Sequence, residues 1–261
     1  MTKKLPSDYI QRFHGVARLY GEAALEKIAK SHILIIGVGG VGSWTAESLC
    51  RSGVGKITLI DMDEVCVTNT NRQLHALKDT IGQTKVSVLR NRLLQINPEC
   101  QLDIREDFVT EENLELYLDH DYDTVIDAID GLKNKTLIAN YCKEKNIPLV
   151  AVGGAGGKKD PTLVRSGDLS ESIRDNLLKR LKKKLRVDFN FPRTGKMGIQ
   201  AIYSIENAMY PDNKGGICYK KDLTDKGQTK LDCATGMGTA SFATGTFGFV
   251  AAKVAIDLIL K

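Results

Sequence analysis

A glycine run at residues 37–42, directly behind a short apolar stretch, most constrains what this chain can fold into. Residues 32–36 read His-Ile-Leu-Ile-Ile, the pattern of a strand buried on both faces of a parallel sheet. Gly37, Gly39 and Gly42 follow in G-x-G-x-x-G spacing with Gly40 between them, and residues 43–52 read as a helix. Strand, glycine turn and helix in that order bring free backbone N–H groups and the positive end of a helix dipole to one place, which suits a phosphate. The plainer alternative is that the glycines serve only close strand–helix packing.

The same alternation continues along the chain. Residues 56–61 read as a second strand ending in Asp61, an acid placed to accept hydrogen bonds from ribose hydroxyls. Residues 101–109 read as a third strand and 123–127 as a fourth, with Asp130 just beyond its end. A helix over 132–145 precedes a fifth strand at 148–152, which leads into a glycine-rich run at 153–157. These features predict an α/β fold: a Rossmann-like, doubly wound, mostly parallel sheet. After residue 157 the pattern changes to an α+β extension. A helix is expected over 170–186, with Ile173, Leu177, Leu178, Leu181 and Leu185 on one stripe. Residues 188–230 are loop-rich with strand-like patches at 198–205 and 216–220, and a last helix runs from about 240 to 260. The division expected is a nucleotide-binding part, 1–157, and a substrate-binding extension of the same fold unit, 158–261. There is no internal repeat and no low-complexity tract.

Charge narrows the partner. The 261 residues carry 37 Lys and Arg against 32 Asp and Glu, but the excess is not spread evenly. Residues 158–196 hold 12 basic and five acidic residues, a net +7, and the remainder stands at −2. Such asymmetry points to a polyanion-binding patch, against the alternative of an amphipathic helix that merely solvates its lysines. With 42% hydrophobic and 26% charged residues, disordered, collagen-like and coiled-coil classes are excluded. The six cysteines (Cys50, Cys66, Cys100, Cys142, Cys218 and Cys233) form no C-x-x-C pair, which argues against a zinc ribbon and for reduced thiols in a cytoplasm. The first 30 residues are polar, without the apolar core of a signal peptide. Residues 233–252 carry no charge, a length that spans a bilayer. Four Gly, four Thr and one Ser in that stretch, with Lys253 and Asp257 continuing its pattern, favour a buried or interface helix over membrane association. Stable insertion is not expected.

Beyond Asp61 the sequence departs from a dinucleotide site. Asp63, Asn69, Arg72 and Gln73 make a polar connection with a cation inside it, and Lys85 stands at the start of a further helix. Arg72 and Lys85 suit a triphosphate, where a nicotinamide dinucleotide needs fewer cations. Asp130 suits Mg²⁺ held against β- and γ-phosphates. Singly, each is a surface charge or a helix cap. At successive strand ends they describe an ATP site at the carboxyl edge of a sheet. None of the four histidines has metal-ligand or triad spacing.

Taken together, the glycine run, Asp61 with Asp63, Asn69 with Arg72 and Gln73, Gly82-Gln83 with Lys85, and Asp127 with Asp130 resemble the ThiF/MoeB-type adenylating enzymes, the superfamily of ubiquitin activators, over roughly residues 10–155. The resemblance implies ATP and Mg²⁺ as cofactors, bound by Asp61, Arg72, Lys85 and Asp130, with Asn69 and Gln73 supporting the phosphates. It makes Arg72, Lys85 and Asp130 catalytic and Asp130 the metal-holding residue. Arg12, Phe13, Gly15 and Arg18, the whole stretch 61–73, residues 96–100, 153–157 and 232–234 are similar to one branch, the tRNA threonylcarbamoyladenosine dehydratases. That branch uses ATP to activate the threonyl carboxylate of N6-threonylcarbamoyladenosine in tRNA, which then cyclises with loss of water. The implied partners are tRNA carrying that nucleoside, a second copy of the chain in a homodimer, and a cysteine desulfurase or sulfur-acceptor system. In dimeric relatives an arginine of the partner subunit reaches the phosphates, and Arg12 and Arg18 are the candidates. Cys233 is a candidate for catalysis or sulfur acceptance, with a structural role the stronger alternative. The wider family's paired C-x-x-C zinc ligands are missing here, and its protein substrates need a groove for an extended tail more than a basic surface. An adenylating enzyme for a ubiquitin-like sulfur carrier is therefore the alternative, and a non-catalytic nucleotide sensor a more remote one.

Overall fold

The computed structural model describes residues 5–212, 215–219 and 237–261. Its strands are β1 (His32–Ile36), β2 (Lys56–Ile60), β3 (Gln101–Arg105), β4 (Thr124–Asp127), β5 (Leu149–Val152), β6 (Val164–Asp168), β7 (Gln200–Ser204), β8 (Tyr210–Pro211) and β9 (Ile217–Cys218). Its helices are α1 (Ser7–Tyr20), α2 (Glu22–Lys30), α3 (Gly42–Arg51), α4 (Lys85–Ile96), α5 (Leu114–Leu118), α6 (Leu132–Glu144), α7 (Asn176–Asp188) and α8 (Ser241–Leu260). Seven strands form one sheet in the order β3-β2-β1-β4-β5-β7-β6. All neighbours run parallel except β6, which lies antiparallel on β7 at the edge. Strand order reverses between β1 and β4, where open α/β sheets form a ligand crevice outside the carboxyl ends of the strands.

Period-two patterning sends alternate residues of each central strand to opposite layers. Ile33 and Ile35 of β1 pack with α2, α3, α4 and α8, and Leu34 and Ile36 pack with α6 and α7. β7 joins the sheet directly beside β5, and α8 lies under the central strands, so the segment after residue 157 shares its core with the first half. α8 is apolar on nearly all sides because most of it is buried, as a core helix requires. Its small residues serve contact with α3: a Cβ on Gly248 would stand 2.8 Å from the Val41 carbonyl oxygen and 2.8 Å from the Trp44 Cβ. By length and composition alone α8 is also long enough to cross a membrane.

Three expectations are revised and one strand, β6, is added. The third strand ends at Arg105, because Asp107 turns the chain by accepting from Phe108 N–H and from Asn113 and Tyr117. The basic helix starts at Asn176, not at residue 170. Asp168 caps a separate 3-10 turn over Leu169–Glu171, Arg174 sits at φ 54°, and Asp175 caps α7 by accepting from Leu178 N–H at 2.8 Å. Ile173 consequently leaves the apolar stripe and is 53% exposed, while Leu178, Leu181 and Leu185 are fully buried. β6 shows no apolar alternation, because it is an edge strand with Arg165 and Ser166 exposed. The patch at 216–220 reduces to the two-residue β9, with Lys220 outside the described residues.

Candidate active site

The chain leaves β1 at Gly37, whose φ of 85° lies in the left-handed region that favours glycine. A Cβ on Gly42 would lie 1.9 Å from the Gly37 carbonyl oxygen, so the first turn of α3 closes onto the loop only without a side chain. Close packing thus explains Gly37 and Gly42. It does not explain Gly39, where a Cβ would meet nothing nearer than the Gln73 amide nitrogen at 3.8 Å. At Gly40 the loop instead touches the aliphatic stem of Arg72, whose Cγ would lie 3.4 Å from an added Cβ.

Asp61 stands one residue past β2 and fastens to the glycine loop: Val38 N–H donates to its Oδ2 at 2.8 Å, and Asp63 N–H donates to its Oδ1 at 2.9 Å. Lys85, the first residue of α4 and only 5% exposed, places its ammonium 2.6 Å from Asp63 Oδ2 and 3.9 Å from Asp61 Oδ1. Burial raises the Asp61 carboxyl above its ordinary value, with the Lys85 charge opposing that rise. The loop 66–75 is stitched to α3 and α8. Trp44 Nε1–H and the Thr244 hydroxyl donate to the Arg72 carbonyl at 3.0 and 3.3 Å, and Leu74 N–H donates to Ser43 Oγ at 3.4 Å. Asn69 is buried and organises this loop: its side-chain oxygen accepts from Cys66 N–H, and its carbonyl accepts from Arg72 and Gln73 N–H. The Arg72 guanidinium folds back onto the Thr68 carbonyl (2.9 Å) and Asn71 Oδ1 (3.0 Å). Gln73 is buried, and its Oε1 has no partner among the described residues.

Gly37, Gly39, Gly40, Gly42, Asp61, Asp63, Asn69, Arg72, Gln73 and Lys85 therefore meet at the carboxyl edge of the sheet. Asp130 joins them from β4. It is exposed, forms no hydrogen bond or ion pair among the described residues, and follows Ile129, whose Cγ2 would lie 2.9 Å from a Cβ on Gly37. No group of three His, Cys, Asp or Glu that could cage a metal occurs among the described residues. One free carboxylate beside the glycine loop would fit Mg²⁺, which favours one or two carboxylates together with phosphate oxygens of a nucleotide. Arg12 and Arg18 are not brought to this cluster. Both are exposed on α1, which docks through Tyr9 and Phe13 on Gly53, at the amino edge of the sheet. Cys233 lies outside the described residues. Clefts of about 270 and 340 Å³ open around Asn146 and Pro148, also at the amino edge.

The second glycine run continues the same edge. Gly154 N–H donates to Asp175 Oδ2 at 2.8 Å, and a Cβ on Gly153 would lie 2.2 Å from that oxygen. Asp175 thus ties the start of α7 to the exit of β5. Residues 237–240 bridge onward: Gly157 N–H donates to the Gly238 carbonyl at 2.8 Å, and the Asn71 amide donates to the Thr239 carbonyl at 2.9 Å. Of the basic residues on α7, Lys182 is turned inward to the Ser172 carbonyl (2.6 Å), Lys184 pairs with Asp188 (2.8 Å) and Arg186 donates to the Pro192 carbonyl (3.0 Å). Lys179, Arg180 and Lys183 are exposed.

Sequence reasoning passes over two buried groups. His75 is 1% exposed with both ring nitrogens unpartnered among the described residues, and burial, helped by the Lys85 charge, lowers it to about 4. Lys135 forms a fully buried pair with Asp127. His75 lies in the loop between β2 and α4 and Lys135 on the first turn of α6, and neither position carries metal or triad spacing.

A glycine loop, an acid just past β2 and cations on the following loop and helix, brought together at the switch point, are the arrangement that suits a nucleotide, and the chain belongs to the ThiF family, whose model matches residues 14–261. It is 49% identical over 262 residues to the tRNA threonylcarbamoyladenosine dehydratase of Escherichia coli strain K12, covering 100% of this chain and 97% of that protein. Its structure is similar to that of TcdA (CsdL), with a TM-score of 0.90 and 44% identity over 99% of this chain and 98% of the other. It is also similar to the E. coli dehydratase TcdA in complex with ATP, with a TM-score of 0.87 and 43% identity over 99% and 97%.

Proposed function

We propose that this chain is an ATP-dependent tRNA threonylcarbamoyladenosine dehydratase. It activates the threonyl carboxylate of N6-threonylcarbamoyladenosine in tRNA and lets the activated carboxyl cyclise. The observation that carries this reading is the single hydrogen-bonded cluster of glycine loop, Asp61, Asp63 and Lys85, with Arg72 and a free Asp130 beside it, on the same sheet edge to which Asp175 ties the basic helix.

A carboxylate resists attack because its leaving group would be oxide. In the proposed reaction a carboxylate oxygen bonds to the α-phosphorus of ATP while the bond to the bridging oxygen breaks and pyrophosphate leaves. An internal nucleophile of the carbamoyl group then attacks the acyl carbon and loses its proton. AMP departs carrying the carboxylate oxygen, so the nucleoside has lost one water. Asp61 holds the ribose, and the N–H groups at Gly39 and Gly40 face the phosphates. Lys85 and Arg72 neutralise the charge that develops on them, a contribution that typically lowers the barrier by several kcal/mol when preorganised. Mg²⁺ held by Asp130 supplies further neutralisation of the phosphates when bound. Residues 1–157 serve ATP, and residues 158–261 serve tRNA and dimerisation. Lys179, Arg180 and Lys183 contact the tRNA backbone. In a homodimer, Arg12 or Arg18 at the amino edge is available only to a partner's site. Cys233 remains a candidate for catalysis or sulfur acceptance beside the structural alternative, and a sulfur-acceptor partnership and a cytoplasmic location accompany the reading.

The test is incubation of the protein with ATP, Mg²⁺ and tRNA bearing the threonylcarbamoyl group, followed by mass analysis of nucleosides and of the adenine nucleotide released. A nucleoside lighter by one water, with AMP as co-product, is expected. ADP as co-product would replace adenylation by phosphorylation. An unchanged nucleoside, with adenylation of a small carrier protein, would refute the reading.

A further inference from the structure

Lys135 lies on the first turn of α6 and touches none of the residues assigned to ATP, yet it and Asp127 are both 0% exposed. Its ammonium sits 2.8 Å from Asp127 Oδ1 and donates to the backbone carbonyls of Asp127 at 3.0 Å and Ile129 at 2.9 Å, so all three of its donors are used. Withdrawing two charges from water is expensive, and an apolar pair of similar volume commonly fills such a site as well or better. The pairing does not serve Asp127 fully either, because its Oδ2 has no partner among the described residues. What an apolar pair cannot do is hold backbone. Two of the three Lys135 bonds grip the turn that leaves β4, and Ile129 N–H closes it by donating to Asp127 Oδ1 at 3.2 Å. The next residue is Asp130, and on its other side the turn abuts the glycine loop at Gly37.

We propose that Lys135 is a positioning residue for Asp130: it locks the turn over 127–129 so that the Asp130 carboxylate stands where it holds the Mg²⁺ carried by the nucleotide. The inference rests on the reading of Asp130 as the metal-holding residue. The test uses the full chain and calorimetric binding. The Mg²⁺ concentration giving half-maximal ATP binding is measured for the wild type, Lys135→Met and Asp130→Asn, with AMP in a chelator as the metal-free control. Because Lys135→Met leaves a buried carboxyl unpaired, the double variant Asp127→Asn, Lys135→Met is measured beside it; it keeps the site neutral but lacks the grip on the carbonyls. Loss of the turn's support raises the Mg²⁺ midpoint by about 10-fold or more, the scale for removing an outer-shell partner, while AMP affinity stays within about twofold. An unchanged midpoint in either folded variant overturns the inference, and so do ATP and AMP affinities that fall by the same factor. If Asp130→Asn also leaves the midpoint at the wild-type value, the reading of Asp130 itself fails. If Asp130→Asn shifts it and the Lys135 variants do not, only the role of Lys135 falls.

Discussion

Gly39 and Gly42 stand three residues apart and separate packing from ligand binding. A Cβ at Gly42 lies 1.9 Å from the Gly37 carbonyl oxygen, far inside van der Waals distance, so in Gly42→Ala the loop must open by about an ångström. Overpacking of this kind costs about 1–3 kcal/mol, and each kcal/mol lowers Tm by roughly 2–4 °C in a domain of this size. A displacement of about 1 Å at a phosphate site also costs on the order of 10²-fold in turnover. At Gly39 the protein itself offers no obstacle within 3.8 Å and φ is not in the left-handed region, so Gly39→Ala leaves stability level or raises it by about 0.4–1 kcal/mol through unfolded-state entropy, with Tm level or slightly higher. If a phosphate lies against that backbone, the methyl group occupies its place and ATP binding weakens by at least about 10-fold, the equivalent of roughly 1.4 kcal/mol. Thermal unfolding without nucleotide and calorimetric ATP binding read the two effects separately. Wild-type ATP affinity in Gly39→Ala, or wild-type Tm in Gly42→Ala, would show that the loop does not work as described.

Arg72→Ala and Lys85→Ala are each expected to lower turnover by about 10²-fold or more in the nucleoside assay, the scale for removing one preorganised charge stabiliser. Charge reversal at Lys179, Arg180 and Lys183 is expected to weaken tRNA binding and flatten its dependence on log[salt] by about 0.9 for each phosphate no longer neutralised; equal slopes for variant and wild type in filter binding would remove α7 from the interface. Lys182→Glu belongs to a different class: Lys182 supports the Ser172 carbonyl, so the loss expected is in Tm. His75 carries a pH dependence. Its folded value of about 4 lies below the ordinary 6.5, so above pH 6.5 both states are neutral and its burial is unpenalised. As pH falls from 6.5 towards 4 the unfolded chain takes the proton first, and stability drops by up to roughly 3 kcal/mol. Urea unfolding at several pH values should show a shallower decline for His75→Leu, and an identical decline would contradict the burial of a neutral ring.

The parts legible in the sequence are those whose physics is local. β1, β2, β4 and β5 are buried on both faces and read as apolar runs, and the residues just past their ends fall on one sheet edge by topology alone. Glycine spacing locates the loop but not which glycine does what; that needs the carbonyl of Gly37 and the stem of Arg72 in place. β6 escapes a search for apolar alternation because an edge strand need not bury its side chains. The leucine stripe misplaces the start of α7 because it extends by one further match, Ile173, across a break made by Asp168, Arg174 and Asp175. α1 and α2 are masked by the polar character of the first 30 residues, although Tyr9, Phe13 and Leu25 form a small core of their own.

The folded chain also redistributes the charge asymmetry. The +7 of residues 158–196 does not form one continuous cationic face, since Lys158 and Lys182 are spent on carbonyls, Lys184 on Asp188 and Arg186 on Pro192. What remains outward on α7 is a short group of three, anchored by a helix whose first carboxylate, Asp175, holds the backbone of Gly154 with one oxygen and caps α7 with the other. Removing that side chain would uncap the helix and release the glycine run together. Position of the basic group relative to the sheet edge therefore depends on one buried acid, and total charge alone does not specify where a polyanion can sit relative to a nucleotide.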